Sequence, residues 1–367
     1  MDVAAVSEGS TSSRSLPALS SGPLSASAAF VLVLIAMLAL REVASLVVPV
    51  LFGLFLALVA WPMVGAFERR GVRHALALTS AILVVLAIVL LAAGIAAISV
   101  GELVVQVPKY ESRLRDQVAA LRDLLAQFGI TADPGALPAI ISPSAIISFV
   151  RPVASAVSHA GVAIFVLAVT MIYALAGARS LRVRAESAFG ERHTLLVGVE
   201  QFGADLRKYL VVRAELGLFA AVLAFVLLFV LGVPLPALWA ILVFAASFVP
   251  NVGFVIALIP PTILAFLDVG VGAAVIVVVG YTLINFAQDH FLQPVVMGSE
   301  LNLSPLVVFI AVIAWAWVLG AAGALLAVPL TVGLVAILEA YPSTRGVATL
   351  LRNKVEPPSG TVGDARA

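Results

Sequence analysis

The sequence predicts an all-α polytopic membrane protein, with broken or re-entrant helices in its C-terminal half and two amphipathic surface helices. Three observations lead there. Of 367 residues, 62% are hydrophobic and 11% charged, against roughly 45–50% and 25% in soluble domains. Apolar runs of about 20 residues recur, and about 20 helical residues at about 1.5 Å each cross a hydrocarbon core about 30 Å thick. Proline and glycine also fall inside apolar runs, at Pro250, Gly253, Pro260, Pro261, Gly320, Gly323 and Pro329. At membrane depth such breaks persist only where protein buries the freed backbone or where it lines a cavity. A closed barrel is excluded, because it needs alternating strands of about ten residues. A net charge of +1, with no basic patch interleaved with aromatics, points away from nucleic acid. The absence of cysteine removes disulfides and thiolate chemistry.

Residues 1–27, rich in Ser, Ala, Pro and Gly, have little to bury and are expected to form a disordered tail. Residues 28–100 hold the N-terminal transmembrane helices, Ala28–Leu40, Val43–Phe67 and Ala75–Val100. The first matches a signal-peptide core in length, but only Arg14 precedes it and the apolar pattern resumes after Glu42, so it reads as an uncleaved membrane segment. Arg69, Arg70 and Arg73 lie in a short loop between the second and third runs. Short cationic loops stay cytoplasmic, which places residues 28–65 in a hairpin that starts and ends inside.

Residues 101–150 then form an extracytoplasmic amphipathic helical insertion. Tyr110, Leu114, Val118, Leu121, Leu125 and Phe128 step by three and four, and Gly129 with Asp133-Pro134-Gly135 ends the helix. Its apolar face rests either on the bilayer or its own protein, or against another subunit. A transmembrane helix over 151–177 leads to a cytoplasmic amphipathic helical segment over 178–213, where Arg179, Arg182, Arg184, Arg192, Arg207, Lys208 and Arg213 outnumber the acids. Leu195, Val199, Phe202, Leu206 and Tyr209 form its apolar stripe. That stripe suits an interfacial helix, with a calmodulin-like partner site as the alternative.

Residues 214–340 are the C-terminal transmembrane core, built on two helical hairpins. After an outward span, Glu215–Leu231, the arms Ala237–Val249 and Phe254–Leu267 hinge at Pro250-Asn251-Val252-Gly253. Each arm is roughly 20 Å long, short for a crossing, so either a re-entrant or a full hairpin is expected. Val271–Asp289 runs back inward, and Pro305–Leu338 folds at Gly320-Ala321-Ala322-Gly323 into the second hairpin. A tail over 341–367 returns Arg345, Arg352 and Lys354 to the cytoplasm, where both termini are expected. FVPNVGFVIALIPPT and WVLGAAGALLAVPLT are weakly alike, as an inverted pair of gates would be.

No nucleophile, metal or phosphate-loop motif accompanies these helices, so no enzyme activity, metal or cofactor is expected. Transport instead needs polar groups at membrane depth, and Asn251, Asn285 and Gln288 supply amides that both donate and accept hydrogen bonds. The alternative roles are a turn cap for Asn251 and a helix bridge for Asn285. The pathway set is Pro250, Asn251, Gly253, Asn285, Gln288, Gly320 and Gly323. Asp289 and His290, with Asp268, are the ion-coupling set, or else mark helix ends at the interface.

KYLVVRAELGL, GVPLPALW, FVPNVG with IPP, QPVVMGSELNLSP and W-x-W-x-x-G-x-x-G-A-L-L-A-V-P-L, ending at Glu339, together cover residues 207–339. As a set they resemble the autoinducer-2 exporter family of bacterial permeases. In place of that family's Glu-x-Asn-x-Leu-x-Pro stands Gln288-Asp289-His290-Phe291-Leu292-Gln293-Pro294, in which Asp289 offers a displaced carboxylate. The resemblance implies a multispanning plasma-membrane exporter of small hydrophilic molecules, with sodium-proton exchange in some members. Residues and resemblance together lead to three expectations in order: export of a small hydrophilic solute, cation/proton antiport, and a non-transporting structural protein. The expected partners are that solute, the lipid bilayer, sodium or protons, and further copies of the chain through small-residue faces such as Gly217, Ala220, Ala221 and Ala224.

Overall fold

The computed structural model describes residues 23–127, 143–189, 194–250, 252–292, 303–341 and 344–352. Residues 1–22 and 353–367, the helix stop at 129–135, Asn251 and most of the QPVVMGSELN motif lie outside the described residues. Among the described residues the elements are helical, joined by short turns and one isolated bridge between Leu303 and Arg352. They run α1 (Pro23–Glu42), α2 (Ala44–Arg69), α3 (His74–Gln127), α4 (Pro143–Phe189) and α5 (Thr194–Val230). There follow α6 (Pro236–Ala246), α7 (Gly253–Asp268), α8 (Val271–Ala287) and a π-helical turn (Gln288–Leu292). The chain closes with α9 (Pro305–Leu319), α10 (Ala321–Leu325), α11 (Ala327–Ala340) and α12 (Arg345–Leu351).

Among the described residues, five segments are long and apolar enough to cross a membrane: Ala44–Arg69, His74–Leu103, Ala160–Ala178, Glu200–Val230 and Val271–Leu292. Four shorter apolar helices accompany them, Pro236–Ala246, Gly253–Asp268, Pro305–Leu319 and Ala327–Glu339. The chain is therefore a multi-pass helical membrane protein. Large apolar side chains such as Leu91, Ile98, Phe165 and Phe229 are more than half exposed, as a lipid-facing surface requires.

The amphipathic segments are continuations of spanning helices. α3 runs 54 residues, about 80 Å, without a break at residue 100. α4 runs 47 residues across both 150 and 177. α5 carries the Leu195–Tyr209 stripe straight into the apolar run that begins at Leu216. The physical reason is local: Leu210-Val211-Val212-Arg213-Ala214-Glu215 contains no helix breaker, so hydrogen bonding continues where hydropathy changes.

Two packed clusters build the body. Ala57 and Ala60 of α2, Ile82 and Val85 of α3, and Met171 and Leu175 of α4 form one. There Gly53 brings α2 so close to α4 that a Cβ would stand 2.7 Å from the carbonyl oxygen of Leu167. The larger cluster joins Leu103 of α3, Ala224 and Leu228 of α5, Trp239 of α6, Leu264 to Leu267 of α7, and Val277 and Tyr281 of α8.

Candidate functional site

The first hairpin begins at Leu235, whose φ of 59° is a left-handed conformation rarely adopted by a leucine. The indole of the buried Trp239 pins this entry by donating to the carbonyl of Pro234 at 3.0 Å. α6 ends at Ala246, and the chain has reversed by Gly253, where α7 starts against the end of α6. Gly253 makes the reversal possible, because any Cβ there would overlap the carbonyl oxygen of Ala246. Pro260 and Pro261 interrupt nothing. Both are buried inside α7, which passes through them at the cost of two backbone hydrogen bonds.

The second hairpin repeats the device. α9 stops at Gly320, whose φ of 69° and ψ of −155° belong to a region that essentially only glycine visits. α10 makes a single turn, and α11 departs after Leu326. At Gly323 a Cβ would overlap the carbonyl oxygen of Trp315. Pro329 falls in the first turn of α11, where its missing N–H costs nothing. The Trp315 indole donates to Thr331 Oγ1 at 3.1 Å, and Thr331 in turn donates to the Ala327 carbonyl at 2.7 Å.

These two interruptions meet. Val249 and Val252 of the first reversal pack with Val312, Trp315, Ala324, Leu325 and Ala327 of the second hairpin. Beside them Leu206, Tyr209, Leu210 and Leu216 of α5 pack with Phe248 of the first reversal, Leu292 of the π-turn, and Val328 and Val332 of α11. Two further close approaches fix this arrangement. Gly217 of α5 abuts Ser247 Oγ and the Phe244 carbonyl, and Gly333 of α11 lies under the Phe202 ring, 3.2 Å from where its Cβ would be.

The π-turn completes the site. A π-turn displaces the hydrogen-bond ladder by one residue and re-aims the side chains after it. Gln288, with 6% exposure, is turned inward, whereas Asp289 and His290 are exposed. Asn285 Nδ2 donates to Asp289 Oδ2 at 3.1 Å, and the His290 ring stacks on Phe286 at 4.2 Å. Asp268 ends α7 and stands apart, beyond the far end of α8, whose 17 residues span about 25 Å. The expected residues thus separate into three places: Pro250, Gly253, Gly320 and Gly323 at the hairpin turns, Asn285 and Gln288 to His290 at the π-turn, and Asp268 at the remote end.

Arg213, which the sequence alone groups with the cytoplasmic charges, lies beside these elements. The stripe Phe202, Leu206, Tyr209 continues by four to Arg213 and on to Gly217, Ala220 and Ala224. Arg213 therefore shares the inward stripe of α5 with residues that are buried on either side of it.

Interrupted helices meeting inside a multi-pass bundle, beside a buried amide on a π-turn, define a membrane transport protein of the broken-helix kind. The comparisons agree. The sequence profile of the AI-2E family transporters matches residues 28–343, and the chain belongs to that family. It is 31% identical over 313 residues to the AI-2 transport protein TqsA of Escherichia coli (strain K12), covering 85% of this chain and 91% of the relative. A relative from Haemophilus influenzae is 32% identical over 330 residues, covering 87% and 93%. YhhT of Escherichia coli (strain K12) is 28% identical over 292 residues, covering 80% and 84%.

Proposed function

We propose that the protein exports a small hydrophilic molecule, an autoinducer-2-like signal or a similar solute, by alternating access or facilitated efflux past the contact between its two hairpins. The carrying observation is that contact, Val249 and Val252 against Trp315, Ala324 and Ala327. Each partner is a helix reversal rather than a continuous rod. Either can therefore shift against the other without breaking a spanning helix. Gln288 and Asn251 supply the hydrogen bonds that replace water around a polar solute. The setting is the bacterial inner membrane, with the Arg69–Arg73 loop and both termini cytoplasmic. The working unit is a homo-oligomer.

The test is uptake of labelled solutes into inverted vesicles containing the full chain. Gln288→Leu is expected to lower flux by about tenfold or more, the loss that follows from leaving a bound polar group unpaired. Unchanged flux in that variant removes Gln288 from the pathway, and flux into right-side-out vesicles alone reverses the direction.

Cation/proton antiport is the second reading, favoured by the carboxylate of Asp289 and its bond to Asn285. It requires sodium-dependent pH changes that disappear in Asp289→Asn. Exchange that persists in that variant excludes Asp289 as the coupling group.

A further inference from the structure

α5 presents two faces. Leu218, Val222, Val226 and Phe229 lie along the outer one and are at least half exposed. Phe202, Leu206, Tyr209, Gly217, Ala220 and Ala224 lie along the inner one, and Arg213 is the charged member of that inner row. An arginine bound for lipid headgroups belongs on the outer face, from which its stem reaches the interface. Arg213 instead sits roughly one turn below Gly217, where the first reversal presses on α5, and about three turns above Phe202, which covers Gly333 of the second hairpin. The helix length to Val230 is about 25 Å, so Arg213 lies at the inner fringe of the hydrocarbon core, between the two hairpins.

Its electrostatic surroundings are incomplete. Nε is buried without a hydrogen-bond partner. The guanidinium carbon stands 5.6 Å from the centre of the Tyr209 ring, and among the described residues no carboxylate is paired with it. Glu215, two residues on, is exposed on the opposite side of the helix. A guanidinium does not shed its proton in proteins, and a partly buried cation at the membrane fringe without a counter-charge is held at a cost unless something supplies one.

We propose that Arg213 is the anion-recognition group of the pathway, so that the solute carried is a small hydrophilic molecule bearing an oxyanion, a carboxylate or a phosphate, rather than a neutral polyol. The planar fork of the guanidinium suits two oxygens of such a group, while the Gln288 amide serves the hydroxyls of the remainder. This inference rests on the transport reading above.

The absence of cysteine allows a direct test. Ser247→Cys places a unique thiol beside Gly217, and its labelling by a water-soluble neutral maleimide is timed on the full chain in phosphatidylcholine vesicles. Glycerate and inorganic phosphate are expected to slow labelling about tenfold at saturation, and glycerol to leave it unchanged. Arg213→Gln erases that protection, while Arg213→Lys keeps it with about tenfold weaker affinity, the worth of one charge-assisted hydrogen bond. The lysine variant decides the matter if the glutamine variant does not fold. Equal protection by glycerol, protection that survives in Arg213→Gln, undiminished affinity in Arg213→Lys, or a thiol that no reagent reaches overturns the proposal. So does protection that appears only when phosphatidylglycerol replaces part of the phosphatidylcholine, which assigns the guanidinium to a lipid headgroup. Flux of labelled glycerate in the same vesicles separates the two levels. Arginine-dependent binding without flux leaves the anion site standing and counts against transport, and flux without arginine-dependent protection does the reverse.

Discussion

The two hairpins turn in the same way and are anchored in different ways. At each turn a glycine lies against a carbonyl oxygen seven or eight residues earlier, Gly253 on Ala246 and Gly323 on Trp315. Each second arm carries a threonine that donates back to its own helix, Thr262 to Leu258 at 2.8 Å and Thr331 to Ala327 at 2.7 Å. Away from the turns the likeness ends. The first hairpin buries Leu264, Ala265, Phe266 and Leu267 in the largest apolar cluster, against α3, α5 and α8. The second leaves Leu306, Ile310 and Ile313 of α9 more than half exposed and buries Val328, with Val332 beside it, in a smaller cluster against α5. Directional contacts accompany that packing: the Trp315–Thr331 bond inside the hairpin, the Arg41 guanidinium 4.8 Å from the Trp317 ring, and the Glu339–Arg352 pair. Dense apolar packing resists sliding, whereas a few polar ties exchange for equivalents at small cost. If the protein transports as proposed, the larger apolar cluster predicts that the first hairpin is the fixed wall of the pathway and the second its moving part.

The sharpest way to break that assignment is to block both turns. Gly253→Val and Gly323→Val each drive a side chain into a backbone carbonyl, which cannot yield as a flexible side chain does. Each is expected to cost about 3 kcal/mol or more, the upper end of overpacking effects. If the first hairpin is the fixed one, Gly253→Val lowers the thermal unfolding midpoint in detergent further than Gly323→Val does. Gly323→Val should instead abolish flux while the chain still folds. Equal loss of stability in the two variants would erase the distinction.

Gly320→Ala has a smaller effect of a different origin. Nothing lies within 4 Å of a Cβ at that position, so no clash arises. The penalty is the backbone conformation alone, about 1–3 kcal/mol. Because it falls on the second hairpin, it is expected to alter flux and to lower the unfolding midpoint by a few degrees, less than Gly323→Val does. Gly320→Asn is expected to behave like Gly320→Ala, because asparagine tolerates the left-handed region near ψ about +45° and not the ψ of −155° found here.

Both hinges were legible in the sequence because proline and glycine act through local backbone geometry. The expected arms Ala237–Val249 and Phe254–Leu267 correspond to α6 and α7, whose C-terminal and N-terminal ends fall within about a turn of those limits. The prolines at 260 and 261 misled in the other direction, since a packed helix carries them when its neighbours bury them. Hydropathy changes near 100, 177 and 214, yet α3, α4 and α5 cross those points unbroken. Leaving the bilayer alters a helix's solvent and not its hydrogen bonding. The π-turn had no signature, because Gln288-Asp289-His290-Phe291-Leu292 holds neither glycine nor proline. Arg213 lies one further step of four beyond Tyr209, on the same stripe of α5, and its charge also groups it with the cytoplasmic arginines.

The smallest effect tests the tie at the base of the second hairpin. Arg352 Nε lies 2.5 Å from Glu339 Oε1, with Nη2 donating to Oε2 at 2.7 Å, a bidentate pair whose side chains are 39% and 34% exposed. Thr344 Oγ1 donates to the Leu338 carbonyl at 2.7 Å, and Leu351 accepts from the Ser304 backbone N–H at 3.1 Å. α12 thereby bridges the end of α11 to the start of α9. Solvent screening holds an exposed pair of this kind to about 0–1 kcal/mol. Arg352→Ala is therefore expected to leave the unfolding midpoint nearly unchanged while releasing the hairpin base, with a modest rise in flux at low salt that fades as salt screens the pair in the parent protein. A midpoint shift as large as that of Gly323→Val would mean that α12 is part of the packed body and that the second hairpin is anchored as firmly as the first.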